Sequence, residues 1–186
     1  MPDKTKRQPK TFKAYILRTC DEDMSSFGGF VWPESGHVAA PDWSDVKVCG
    51  QGLHGFLWGE GDGGLASFEP DAKWIVAGIN EWVDLGGKVK FPEAWVVHCG
   101  DRMSATEFIR QMGARGAVVG GTATAGDGGT ATAGDGGTAT AGVGGIIIVR
   151  YYDGNRYRIV EGYVGEGGIE PNVAYRVNGC KLVKVS

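Results

Sequence analysis

The chain has 186 residues and 33 glycines, more than twice the usual glycine share of about 7%. Collagen is excluded, because the glycines keep no three-residue period and only 7 prolines accompany them. Six tryptophans and 42% hydrophobic residues exclude wholesale disorder, and a formal charge of -3 argues against a nucleic-acid partner.

In chain order, residues 1–11 read as a basic tail carrying Lys4, Lys6, Arg7 and Lys10, expected to be solvated and disordered. Residues 12–112 read as a mixed α+β domain. Alternating or apolar runs predict strands at 13–18, 52–58, 73–79, 88–91 and 94–98. Residues 21–26 are a polar turn, and 33–45 form a long loop rich in Pro, Gly, Ser and Asp. Ser104 and Glu107 have capping-box spacing, followed by apolar Phe108, Ile109 and Met112, with Gly113 as the stop.

Residues 113–145 hold a repeat. Positions 121–128 read GTATAGDG, 129–136 repeat it letter for letter, and 137–144 read GTATAGVG. Alternation sends Thr122, Thr124, Thr130, Thr132, Thr138 and Thr140 to one face and the alanines to the other. Four-residue strands cannot stand alone, so they are expected to stack as a short β-solenoid, two units to a coil, with glycine at the corners. A flexible linker and an antiparallel meander are the alternatives. Residues 146–186 are strongly β. Hairpins turning at 153–155 and at Asn178-Gly179, with Cys180 opening the return strand, are expected to cap the stack. The whole is mainly β or α+β.

Four scattered cysteines read as reduced thiols, and Cys49, His54, His98 and Cys99 lack zinc-ligand spacing, so no metal is expected. No apolar run approaches the ~20 residues of a membrane span and no secretory leader is visible, giving the expectation of a soluble cytoplasmic protein without membrane contact.

Three resemblances follow from particular residues. The stretch VCGQGLHG at 48–55, with Trp32-Pro33, Trp43, residues 84–91 and Cys99-Gly100-Asp101, resembles an uncharacterised bacterial and phage domain family with a C-G-x-G-L-H signature. That resemblance implies no activity. The TATAG repeat resembles the octapeptide arrays of bacterial ice-nucleation proteins. Three copies make only a small threonine plane, so a rigid spacer or oligomerising surface is the expectation here. Finally, Gly50-x-Gly52-Leu53-His54 is similar to the second motif of ADP-ribosyltransferase-like folds. This implies NAD as cofactor, with His54 beside nicotinamide, Arg18 on ribose or phosphate, and Glu81 or Glu107 as the late carboxylate. Neither glutamate has the Gln/Glu-x-Glu context of that family.

The leading functional expectation is a non-enzymatic recognition and assembly protein, phage or prophage encoded, without a cofactor. It would bind a host protein or small-molecule ligand through Trp32, Trp43, Cys49, Gly50, Gly52 and His54. The repeat would make it a homo-oligomer through its six threonines. An NAD-dependent transferase, or its inactive descendant, is the alternative.

Overall fold

A computed structural model describes residues 11–185, so positions 1–10 of the expected tail lie outside the described residues. The chain divides into two units.

The first takes the chain up to Gly61 together with Ala66–Arg115. Its strands are β1 (Ala14–Cys20), β2 (Ser25–Ser26), β3 (Phe30–Val31), β4 (Gly36–Ala39), β5 (Leu53–Leu57), β6 (Lys73–Ile79), β7 (Val83–Asp84), β8 (Val89–Phe91) and β9 (Glu93–Gly100), followed by helix α1 (Arg102–Gln111). Seven of them form one antiparallel sheet in the order β4-β9-β6-β1-β5-β8-β7, and β2 pairs with β3. One face buries Ile16, Cys20, Trp32, Leu53, Ile75, Val89 and Phe91. The other carries Leu17, Trp74 and Val76, all buried. There α1 lies against β6, β1 and β9, with Phe108 stacked on His98 at 4.8 Å.

Two local expectations are corrected. The loop at 33–45 contains a strand, β4, whose Gly36–Ala39 pairs with β9. The segment is short, but His37 and Val38 are both buried, and the partner strand supplies the ladder it needs. The helix also starts earlier than the capping box implies. Asp101 is the N-cap, its Oδ1 accepting from Ser104 N at 2.8 Å. Glu107 sits too far along to reach the cap and instead accepts from Gln111 Nε2. The stop is where expected: Gly113, at φ +115°, donates to Arg110 O while Ala114 donates to Ile109 O, a Schellman closure.

The second unit takes Asp62–Leu65 and the chain from Gly116 onward. It contains β10 (Thr122–Ala125), β11 (Thr130–Ala133), β12 (Thr138–Ala141), β13 (Ile146–Tyr152), β14 (Tyr157–Tyr163), β15 (Ala174–Asn178) and β16 (Lys181–Lys184). Two sheets result, β10-β12-β15-β16 and β11-β13-β14. The repeat strands pair in parallel, not as a meander: Thr122 opposes Thr138 and Thr130 opposes Ile146, each sixteen residues on. Successive strands therefore alternate between the two sheets. Ala131, Ala133, Ala139, Ala141, Ile147 and Val149 are buried between them.

Each corner is a β-turn. Gly129 N donates to Gly126 O, Gly137 N to Gly134 O and Gly145 N to Gly142 O. The third residue of each turn is a glycine in the left-handed region: Gly128 at φ +65°, Gly136 and Gly144 at +66°. A side chain is disfavoured there, which is why glycine recurs every eighth position. At the far end β14 runs antiparallel to β13 and β15 antiparallel to β12. The last hairpin turns one residue later than expected: Asn178 opposes Lys181, leaving Gly179 and Cys180 as a two-residue loop, at φ +54° and +65°. Two positive φ values in succession mark the turn that matches strand twist.

Candidate functional site

Parallel stacking brings the repeat threonines into register. On the β10–β12 sheet, Thr122 lies beside Thr138 and Thr124 beside Thr140. Thr138 Oγ1 donates to Thr122 Oγ1 at 3.2 Å. Thr122 and Thr124 are exposed, and Thr138 and Thr140 half-buried, while the alternating alanines turn inward. Rows in such a sheet repeat every ~4.8 Å across strands and ~6.8 Å along them. Threonine is β-branched and stiff at χ1, so its methyl and hydroxyl hold position with little entropy left to lose. The result is a small fixed grid of alternating polar and apolar groups. On the other sheet Thr130 and Thr132 stand beside Ile146 and Ile148, where the hydroxyl rows end.

The corner aspartates hold one coil to the next, a role the sequence reading did not assign. Asp127 Oδ1 accepts from Val143 N at 2.8 Å, and Asp135 Oδ2 from Tyr152 N at 3.1 Å. Burial raises the Asp135 carboxyl above its ordinary value. The signal was present: GDG occurs in the first two units, whereas the third reads GVG.

In the first unit the candidate residues separate. Continuing the β1–β5 register, in which Leu17 faces Phe56, puts Arg18 opposite the glycine after His54, so its side chain and that of His54 leave opposite faces of the sheet. Arg18 Nη1 reaches only the backbone carbonyl of His54, at 3.3 Å, and its guanidinium stacks on Trp32 at 4.2 Å. Glu81 is exposed in the connection between β6 and β7. The three therefore do not converge on a nicotinamide site. Trp32 is 2% exposed and belongs to the core, although its polar loop context suggested a surface. Cys49 and Gly50 are exposed, and Gly50 has φ +101°. Gly52 has φ +130°, and a Cβ there would stand 2.9 Å from Trp43 Cε3.

His54 and Lys90 are cross-strand partners on β5 and β8. Lys90 is wholly buried; neither its Nζ nor His54 Nε2 has a hydrogen-bond partner among the described residues. Desolvation, then Lys88, Arg18 and Lys90, pulls the imidazole of His54 down to about 4. Lys90 went unnoticed in the sequence because KVKF alternates like any half-exposed strand. No group of three or more His, Cys, Asp or Glu among the described residues is placed to hold a metal.

The half of the chain that matches known proteins is similar to ice nucleation proteins, in keeping with alternating Thr and Ala strands joined by left-handed glycine corners and stacked sixteen residues apart. Three of the relatives that carry that name illustrate the likeness. Ice nucleation protein InaU of Pantoea ananas is 40% identical over 104 residues, 54% of this chain and 10% of that protein. An ice nucleation protein of Pseudomonas syringae is 44% identical over 101 residues, 52% of this chain and 9% of its own. That of Xanthomonas campestris pv. translucens is 37% identical over 101 residues, 52% of this chain and 6% of its own. The chain thus spans a tenth or less of the length of these relatives. No family model and no solved structure matches it.

These likenesses overturn both functional expectations. A phage-encoded recognition and assembly protein and an NAD-dependent ADP-ribosyltransferase are each replaced by a likeness to proteins named for ice nucleation. They lend no support to a phage origin or a cytoplasmic location. Among the described residues no helix is long and apolar enough to cross a membrane, which says nothing of a β-barrel.

Proposed function

We propose that this chain is an ice-nucleation-type protein whose repeat forms a short β-solenoid and orders water on its threonine-bearing surface. The observation that supports this most directly is the in-register pair Thr122 and Thr138, with hydroxyls 3.2 Å apart on stacked parallel strands. A water layer freezes when enough molecules are held together in an ice-like arrangement. A rigid grid does this better than mobile side chains, because the ordering entropy of the template has already been lost in folding. Hydroxyls anchor individual waters and the intervening methyls leave the water network unbroken.

The grid is small, four threonines on one sheet and two on the other. Its effect on freezing is accordingly modest, and it grows with the number of coils. A droplet-freezing assay tests this. The full chain should freeze supercooled droplets at a higher temperature than buffer alone. A variant carrying Val at Thr122, Thr124, Thr138 and Thr140 keeps the shape and β propensity but loses the hydroxyls, and should lose the effect. Equal freezing curves for the two proteins at matched concentration would overturn the reading.

A further inference from the structure

We propose that Lys90 and His54, beneath Trp43 in the first unit, bind the oxyanion group of a small ligand, a carboxylate or a phosphate. This goes beyond the freezing role and does not depend on it.

The argument begins with cost. An ammonium group taken wholly out of water with no counter-charge loses several kcal/mol, so buried lysines are nearly always paired. Lys90 is 0% exposed and its Nζ has no partner among the described residues. Beside it, directly across the β5–β8 ladder, His54 Nε2 is also buried and also without a partner. Cross-strand partners on one face have Cβ atoms about 5 Å apart. A single carboxylate or phosphate set between the two side chains accepts from both, Lys90 donating to one oxygen and an Nε2–H tautomer of His54 to another.

The surroundings have the matching sign. Lys88 adds positive charge around His54, Arg18 contributes from the opposite face of the sheet, and the Asp42 carboxylate opposes them. Asp42 Oδ1 accepts from Gly52 N at 3.1 Å, which ties it to the loop backbone. An anion entering here meets cations whose attraction is little screened by water.

One indole lies beside the pair. The Trp43 ring lies 5.7 Å from Lys90 Nζ and packs against the bare backbone of Gly52. Trp43 itself is half-buried, and the loop that carries it is exposed from 45 to 51. Within the proposal, the anion reaches the two donors by displacing this indole. An indole over a cation also suits a ligand with a flat apolar body behind its anionic end.

The experiment titrates the full chain with inorganic phosphate and, separately, with acetate, at constant ionic strength set by chloride. The His54 ring resonances and Trp fluorescence are followed. Saturable changes in both are expected with at least one of the two anions, and whichever acts at lower concentration identifies the oxyanion class. Lys90→Met, close in shape and uncharged, should weaken that binding roughly tenfold or more, the worth of one charge-assisted bond. His54→Gln should weaken it less. Thermal unfolding of the unmodified chain gives a second reading that needs no variant: the selected anion should raise Tm in a saturable way where chloride does not. Absence of any saturable response to both anions, or undiminished binding by a folded Lys90→Met protein, would overturn the proposal.

Discussion

Asp127 Oδ1 accepts a hydrogen bond from the backbone N–H of Val143, sixteen residues further on, at 2.8 Å. The same corner is closed by Gly128 N to Val143 O and by Gly142 N to Ala125 O. An aspartate in one coil thus fastens the turn of the next, and the third unit carries Val143 where the first two carry aspartate. Val143 receives this anchor, and its own side chain is exposed and has no polar atom with which to pass one on.

Asp127→Ala should therefore lower stability by about 1 kcal/mol, the net worth of one such bond. Val143→Asp should stay within about 0.5 kcal/mol of the unmodified chain, as an exposed change with no partner to gain or lose. Urea unfolding measures both, reading the midpoint at constant slope. Equal losses would show that the corner is not held by the aspartate.

Helix α1 offers a contrast between two acidic residues. Asp101 caps it, and hydrogen bonds from Ser104 hold its carboxyl below the usual range. Asp101→Ala should cost about 1 kcal/mol, whereas Glu107→Ala should change stability by no more than about 0.5 kcal/mol. The opposite ranking would restore the cap to the Ser104–Glu107 frame.

The third prediction concerns pH. Folding lowers the His54 imidazole from its ordinary 6.5 to about 4, mainly by desolvation. Between those values the unfolded chain binds the proton and the folded chain does not. This contribution is fully present above about pH 6.5 and is lost progressively as pH falls toward 4. Chloride-buffered unfolding curves across that window should show a steeper loss for the unmodified chain than for His54→Gln. Parallel curves would mean that His54 is solvated in the folded state.

Much of the local structure was legible in the sequence. Runs such as KWIVAGI and IIIVRYY carry enough β-branched and apolar residues to set their own strands, which appear as β6 and β13 at the expected positions. The segment at 36–39 was not legible, because two buried residues in a Pro- and Gly-rich stretch give no period. Only pairing with β9 makes it a strand. The same limit hid Lys90. Its burial depends on Trp43, nearly fifty positions away, folding over it.

The repeat shows where the division falls. By itself the sequence determined the eight-residue rhythm, the glycine corners and the alternation of threonine with alanine, since these are set by dihedral preferences of neighbouring residues. Only the tertiary structure decided that the strands pair in parallel, at the sixteen-residue interval expected of a two-unit coil, and not as an antiparallel meander. Only it brought Thr122 against Thr138 and extended the corner series back to Gly120, at φ +68°, where the letters no longer repeat. Pairing is a contact between distant positions, and its free energy comes from the alanine core and the ladder closed between coils, neither of which exists until the chain has folded.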